Sequence, residues 1–257
     1  MPLNEECGLL EWVSNTNALK SVLEKGYARH GKKVYTRKQG PAALIQVFKD
    51  KILTMFMPTV FHEWFLLTWP EPSAWLASRM AYSRTLAVMS MIGYVLGLGD
   101  RHCENILFDG LTGDTVHVDL NCLFDKGKSF EIPERVPFRL TQNMVDALGV
   151  TGVEGVFRKA AEITLDLLRM HSESLMSVLE AFAHDPLVEW TKSGRGKSDK
   201  DIRSSAERNL KPIKNKLRGV MEDATTVSVP NHVEVLIKQA TSASHLAVMY
   251  QGWAAWL

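Results

Sequence analysis

Four polar side chains set close together could do chemistry: Asp100, His102 and Asn105 in one short run, and Asp119 past an apolar stretch. The run Gly97-Leu98-Gly99-Asp100-Arg101-His102-Cys103-Glu104-Asn105 leads into the apolar triplet Ile106–Phe108. Residues 110–114 supply a turn containing glycine, and Val116–Val118 leads back to Asp119. That pattern predicts a short β-hairpin. A hairpin brings the loop before its first strand beside the residues after its second, so Asn105 and Asp119 face one small volume. An Asp, an Asn five residues on and a second Asp past a hairpin suit phosphoryl transfer. One carboxylate orients the attacking hydroxyl, while an amide oxygen and the other carboxylate hold Mg²⁺ on the phosphates. Singly, each has a plainer reading: a loop Asp is usually a turn or cap residue, and a His beside an apolar helix is usually packed or solvated. The order and spacing of the set favour the chemical reading.

These residues need a rigid support. Trp69-Pro70-Glu71-Pro72 breaks a helical pattern running from Lys49 to Phe65, and Ser73 is the expected cap of a long helix through Val95. Trp75, Leu76, Met80, Leu86, Ala87, Met89 and Ile92 fall on its broad apolar faces. Such a helix is core, and it delivers Leu98–Asn105 from a packed base. Downstream, Asn143 to Trp190 reads as three helices, one opening after Gly152–Gly155 and running to Met170, the next capped by Ser172. Residues 192–218 carry ten Lys or Arg against three acids and no aromatic residue. That composition reads as a flexible linker passing into an exposed helix; without aromatics it lacks the stacking half of a nucleic-acid signature. The C-terminus reads as a helix with Val233, Leu236, Ile237 and Ala240 on one face, then a segment with two exposed-looking tryptophans, Trp253 and Trp256.

Composition sets broad bounds. The 257 residues are enough for a sizeable core, and a net charge of +1 names no partner. Cys7, Cys103 and Cys122 have no metal-like spacing and argue for a reducing compartment. No apolar run reaches membrane-spanning length, and no signal segment opens the chain.

At Gly97–Asn105 and at His117-Val118-Asp119-Leu120-Asn121 the chain resembles the phosphatidylinositol-kinase-related protein kinases. These atypical Ser/Thr kinases carry Gly-x-Gly-Asp-Arg-His-x-x-Asn and His-x-Asp-Phe-Gly. Leu120 departs from the usual Phe, and Asn121 points to the replication-stress checkpoint branch of the family. Phe61-His62-Glu63-Trp64-Phe65, Ser90-Met91-Ile92-Gly93-Tyr94 and His184-Asp185-Pro186-Leu187-Val188-Glu189-Trp190 point the same way. The resemblance covers nearly the whole chain.

The resemblance implies an α+β, predominantly α fold: the large lobe of a two-lobe kinase over residues 1–190, a regulatory linker over 191–228 and a FATC-like module over 229–257. It implies Asp100 as hydroxyl-orienting base, His102 at the γ-phosphate, and Asn105 and Asp119 as the metal pair. Glu11, Trp12 and Val13 become the hinge that meets adenine, entered through a strand, a turn and a second short strand over residues 2–13. Leu107 and Val118 are placed under the base; plain hairpin core is their alternative. Arg101 is read as a brace for the loop. Residues 120–135 become the activation segment, where Lys126, Lys128 and Arg135 balance Asp125, Glu131 and Glu134, which favours a protein substrate over an anionic lipid. The cofactors implied are ATP and Mg²⁺, with Mn²⁺ as the other ion. The implied partners are protein substrates carrying Ser or Thr before Gln, a regulatory subunit and activator proteins. Nucleic acid enters only indirectly, no membrane is involved, and the compartment is the nucleus. Ser193, Ser198, Ser204 and Ser205 are regulatory candidates. No Gly-rich phosphate loop, strand Lys or partner Glu precedes the hinge in these residues, so the chain reads as a fragment with negligible activity alone, with a scaffold role or a lipid kinase as the alternatives.

Overall fold

The computed structural model describes residues 1, 3, 4, 7–34, 41, 44–183, 199–221 and 224–257, with side chains described for all of these but 183 and 199–205. The 25-residue helix α5 (Pro72–Leu96) runs through the middle of the fold. Its start differs from the expected Ser73 cap. Pro72 takes the first helical position, where a missing N–H costs nothing, and Glu71 holds the extended cap position. At its other end Gly97 turns left-handed, with φ 65°. The N–H groups of Gly97 and Leu98 then fold back onto the carbonyls of Tyr94 and Gly93, at 3.2 and 2.8 Å. This is a glycine helix stop, and it delivers the chain directly into the Asp100 loop.

The hairpin forms as expected, as β2 (Ile106–Asp109) and β3 (Thr115–His117), with Ile106 opposite His117. A third strand was not foreseen: β1 (Thr16–Ala18) pairs antiparallel with β2, placing Ala18 opposite Leu107. The helix α1 (Leu19–Arg29) follows at once and buries Leu19, Val22, Leu23 and Tyr27. The expected helix over 49–65 is divided. One helical stretch comprises α2 (Ile45–Val47), a π turn (Phe48–Ile52) and α3 (Leu53–Met55). The chain is extended at Phe56, and α4 (Val60–Thr68) begins after Pro58, whose ring removes a helical donor.

An aromatic core joins α4, α5 and β2. The Phe61 ring meets those of Tyr82, Phe65 and Phe108 at 5.3, 5.3 and 4.7 Å. All four residues are buried, so each contributes apolar area as well as edge-to-face contact. Along another side of α5 lies α7 (Val156–Met170), its buried face made of Phe157, Ala161, Thr164 and Leu165. The helices α6 (Gln142–Ala147) and α8 (Ser172–Ala183) complete the bundle.

The basic stretch departs from its expected role. Asp199–Arg218 is one helix, α9, and from Ala206 onward it is packed. Ala206, Leu210, Ile213 and Leu217 are buried at a helical spacing that charge counting cannot see. Lys216 is buried with them. Its Nζ donates to the Tyr94 carbonyl at 2.8 Å and to both Asp125 carboxylate oxygens at 2.9 Å. His184–Trp190, Ser193 and Ser198, and the side chains of Ser204 and Ser205, lie outside the described residues.

The C-terminal part is α10 (Val229–Ala240), α11 (Ala243–Ala247) and a turn over Gln251–Trp253. Val233, Leu236, Ile237 and Ala240 are buried as expected. Trp253 and Trp256 are not exposed: each retains only 4% of its accessible surface. Among the described residues no helix is long and apolar enough to cross a membrane.

Candidate active site

The two aspartates expected to do the chemistry share a backbone state. Asp100 and Asp119 both lie in the left-handed region, at φ 59° and 57°. That region is uncommon for any residue with a Cβ and persists only where the surroundings impose it. Arg101 imposes it here. Its Nε donates to the Gly99 carbonyl at 2.9 Å, one terminal nitrogen to the Val118 carbonyl at 2.7 Å, and the other to the Asp119 carbonyl. One buried guanidinium thus joins both loops, as the brace reading expects. Burial lowers its pKa, while the nearby Asp100 and Asp119 charges oppose that fall.

The hairpin closes the same volume from below. The Val118 N–H donates to the Asn105 carbonyl at 3.1 Å, which sets Asn105 beside the residue preceding Asp119. Asn105 is buried, and its side-chain N–H donates to the Asp100 carbonyl at 2.9 Å. Its amide oxygen is therefore the atom left to meet a ligand. The Asp119 carboxylate is exposed, with Oδ1 accepting from the Asn121 N–H at 3.2 Å. An amide oxygen and a carboxylate are hard oxygen donors. They fit Mg²⁺, which takes few protein ligands and keeps water and phosphate oxygens.

His102 is half-buried, and its Nδ1 accepts from the Glu104 N–H at 3.1 Å. The ring proton of the neutral form is then on Nε2, available as a donor. The loop is tied to α1 twice: the Lys20 N–H donates to the Cys103 carbonyl at 3.0 Å, and Lys20 Nζ pairs with Glu104 at 3.0 Å. Leu107 is buried and Val118 half-buried within the hairpin. The stretch Glu11–Val13 is exposed, Trp12 by 83%, and no strand forms there; before it Met1 and Leu9 exchange main-chain bonds at 2.6 and 2.8 Å across a turn, and after it the sheet begins at Thr16. From that point the register carries the chain past Asp109 towards Leu107. Leu120, in the place of the usual Phe, is 55% exposed.

Three residues of this neighbourhood were not singled out by sequence. Glu134 accepts from the Asp100 N–H at 3.0 Å, behind the catalytic loop. Burial, above all, and the Asp100 charge push its carboxyl up to about 7, against the opposing pull of that N–H and Arg101. The indole N–H of Trp253 also favours the charged form, although it stays outside hydrogen-bond distance of any described acceptor. A Cβ at Gly99 would collide with the Glu134 carboxylate, which accounts for the second glycine of the motif. Arg139 is buried, and its guanidinium donates to the carbonyls of Trp253, Ala254 and Leu257 at 2.6, 2.8 and 3.0 Å, stacking over the Trp253 ring at 4.3 Å. Its link to the catalytic loop is a long bond to the Arg101 carbonyl at 3.5 Å. Lys216 is the third. None of these has a signal in local spacing, because each partner is tens of residues away or is main chain.

The charge balance of the activation segment is also altered. Asp125 is spent on Lys216 and Glu134 on the Asp100 N–H. Two acids of that count are thus engaged within the fold.

Comparison with known proteins agrees with this geometry. The profile described as phosphatidylinositol 3- and 4-kinase matches residues 1–192, and that of the FATC domain matches residues 226–257. The chain is 50% identical to protein kinase rad3 of Schizosaccharomyces pombe, across all of this chain and 11% of that protein. It is 49% identical to the serine/threonine-protein kinase ATR of Oryza sativa subsp. indica, across all of this chain and 10% of that one. The solved FAT and kinase domain of CtTel1 superposes with a TM-score of 0.74 at 36% identity, covering 96% of this chain and 18% of that one. The chain thus spans about a tenth of the length of the curated relatives it matches.

Proposed function

The chain belongs to the phosphatidylinositol 3- and 4-kinase family and carries a FATC domain, and on that footing we propose that it is the phosphoryl-transferring lobe of a serine/threonine protein kinase of the ATR type. The observation that carries this reading is the shared left-handed backbone of Asp100 and Asp119, held by the one Arg101 guanidinium. Asp100 accepts the hydrogen of the substrate hydroxyl and takes its proton as the new oxygen–phosphorus bond forms. Among the described residues no side chain or main-chain N–H bonds its carboxylate, which leaves both oxygens for that task. His102 offers its Nε2 proton to the phosphate undergoing transfer. Asn105 and Asp119 would hold Mg²⁺ or Mn²⁺, which supplies neutralising charge on the phosphates of ATP. Glu11–Val13, Leu107 and Val118 form the adenine side. The choice of a protein substrate is supported by the relatives named serine/threonine-protein kinase, while a Ser or Thr before Gln, the checkpoint role and the nuclear setting rest on the family resemblance.

The test is transfer from ATP to a Ser-Gln peptide by the intact protein carrying these residues. Asp100→Asn should lower kcat by roughly a thousandfold or more with nucleotide binding kept. Retained turnover would overturn the assignment of Asp100. Phosphorylation of phosphatidylinositol in place of peptide would overturn the substrate class.

A further inference from the structure

Beside Gly97–Gly99 of the catalytic loop lies a cavity of about 560 Å³. Its walls come from the end of α5 and the Gly97–Gly99 stretch, the activation segment, α9 with Val220 and Met221 beyond it, and the C-terminal module, which contributes Leu236, Gln239 and His245. The size is that of a small-molecule site. Its charge is one-sided. Arg135 enters from the activation segment, and Arg208 and Lys211, one helical turn apart, enter from α9. Among the described residues none of these three cations has a carboxylate within ion-pair distance. The two acids in the same wall are already engaged: Asp125 receives Lys216 through both oxygens, and Glu134 faces the Asp100 N–H. With Lys128 and Lys216 also in the lining, the cations outnumber the two acids and the field inside is positive.

We propose that this cavity binds a small soluble anion carrying two or more phosphate groups, which bridges Arg135 to Arg208 and Lys211. Guanidinium forks meet phosphate oxygens in pairs, and the lysine adds a point charge, so a polyphosphate matches the set better than a single carboxylate. A bound anion clamps α9 to the activation segment beside Gly99. The proposal concerns binding and stands apart from the kinase reading: the cavity can fill whether or not transfer occurs.

The experiment is calorimetric titration of the intact protein with inorganic tripolyphosphate, in chelator so that no metal assists binding near Asp119. We expect saturable binding, with orthophosphate at least roughly tenfold weaker. Arg208→Gln with Lys211→Gln should weaken tripolyphosphate by roughly tenfold or more. These side chains are exposed, so ligand-free melting should be unchanged; Arg135→Gln, on a separate element, should weaken binding independently. Absence of binding, or binding indifferent to all three substitutions, overturns the site. Binding that emerges only after phosphatase treatment would show that a phosphorylated side chain of the protein fills the cavity, and would overturn the soluble ligand.

Discussion

Arg101 and Arg139 are both buried cations satisfied by main-chain carbonyls rather than by carboxylates, yet they secure different regions. Arg101 ties two loops of one hairpin, bonding to residues 2, 17 and 18 positions away. Arg139 ties the activation side of the lobe to the C-terminal module, 114 to 118 positions away. A guanidinium suits both places because its planar fork reaches several acceptors at once and stays charged under burial. The contrast is in reach. The short-range arginine fixes the geometry of chemistry, and the long-range one fixes whether the C-terminal segment belongs to the fold at all.

The sharpest way to break that contrast is Arg139→Met. It removes three carbonyl bonds and the stack on Trp253 together, leaving buried acceptors unpaired. A loss of about 3–5 kcal/mol is expected, read by thermal unfolding of the intact protein, with early proteolytic release of the Trp253–Leu257 segment. If the segment stays protected, Arg139 is not the tie we describe. Arg139→Lys should recover part of the loss, since an ammonium cannot span all three acceptors.

Arg101→Met should divide differently. The loop is also held by Lys20 and by the hairpin, so melting should fall less than in the Arg139 variant. Transfer should fall by roughly a hundredfold, because the carbonyls of Asp119 and of the residues preceding Asp100 and Asp119 lose the guanidinium that ties the two left-handed turns together. Equal damage to stability and turnover in both variants would erase the distinction.

Glu134 sits where the two regions meet, with Asp100 on one side and Trp253 on the other. Glu134→Ala should lower kcat by about tenfold at unchanged KM for peptide, while Glu134→Gln, which keeps an acceptor for the Asp100 N–H, should recover most of it. Its carboxyl is raised from 4.5 to about 7, so the folded state binds the extra proton. Its contribution is full below pH 4.5 and lost as pH rises through 7, and Glu134→Gln should remove that dependence.

The same division explains what could be read from the chain. Gly97-x-Gly99-Asp100-Arg101, the Asn105–Asp119 pairing through a hairpin and the brace role of Arg101 are local, so spacing reveals them. The third strand is not: Thr16–Ala18 is a polar triplet that becomes a strand only because β2 offers an open edge 90 residues later. Composition misled at the basic helix because burial there follows every third or fourth residue, while the charges occupy the other face. It misled again at Trp253 and Trp256, whose cover is supplied by residues far upstream, including Arg139 and Phe56. Trp12 shows the converse: aromatic and expected at a base, it is exposed here. The role given to Glu11–Val13 therefore still rests on the resemblance.

The smallest expected effect concerns His232, a second bond between the C-terminal module and the lobe. The ring is buried on α10, between Arg169 of α7 and Tyr94 of α5. Arg169 has no acceptor, so the 2.7 Å contact makes it the donor to Nδ1, and the proton sits on Nε2, which donates to the Tyr94 hydroxyl at 2.9 Å. Burial first, then the charges of Arg169 and Lys216, lower the ring's pKa from 6.5 to about 4. The unfolded chain therefore binds more protons over that interval, and the docking of α10 is full above pH 6.5 and weakens as pH falls towards 4. A loss on the order of 1–2 kcal/mol is expected across it. His232→Gln, which can still accept from Arg169, should flatten the acid limb of a melting-temperature profile while the Arg139 variant keeps its slope. An unchanged acid limb in His232→Gln would mean that this junction does not sense the proton and that Arg139 alone secures the module.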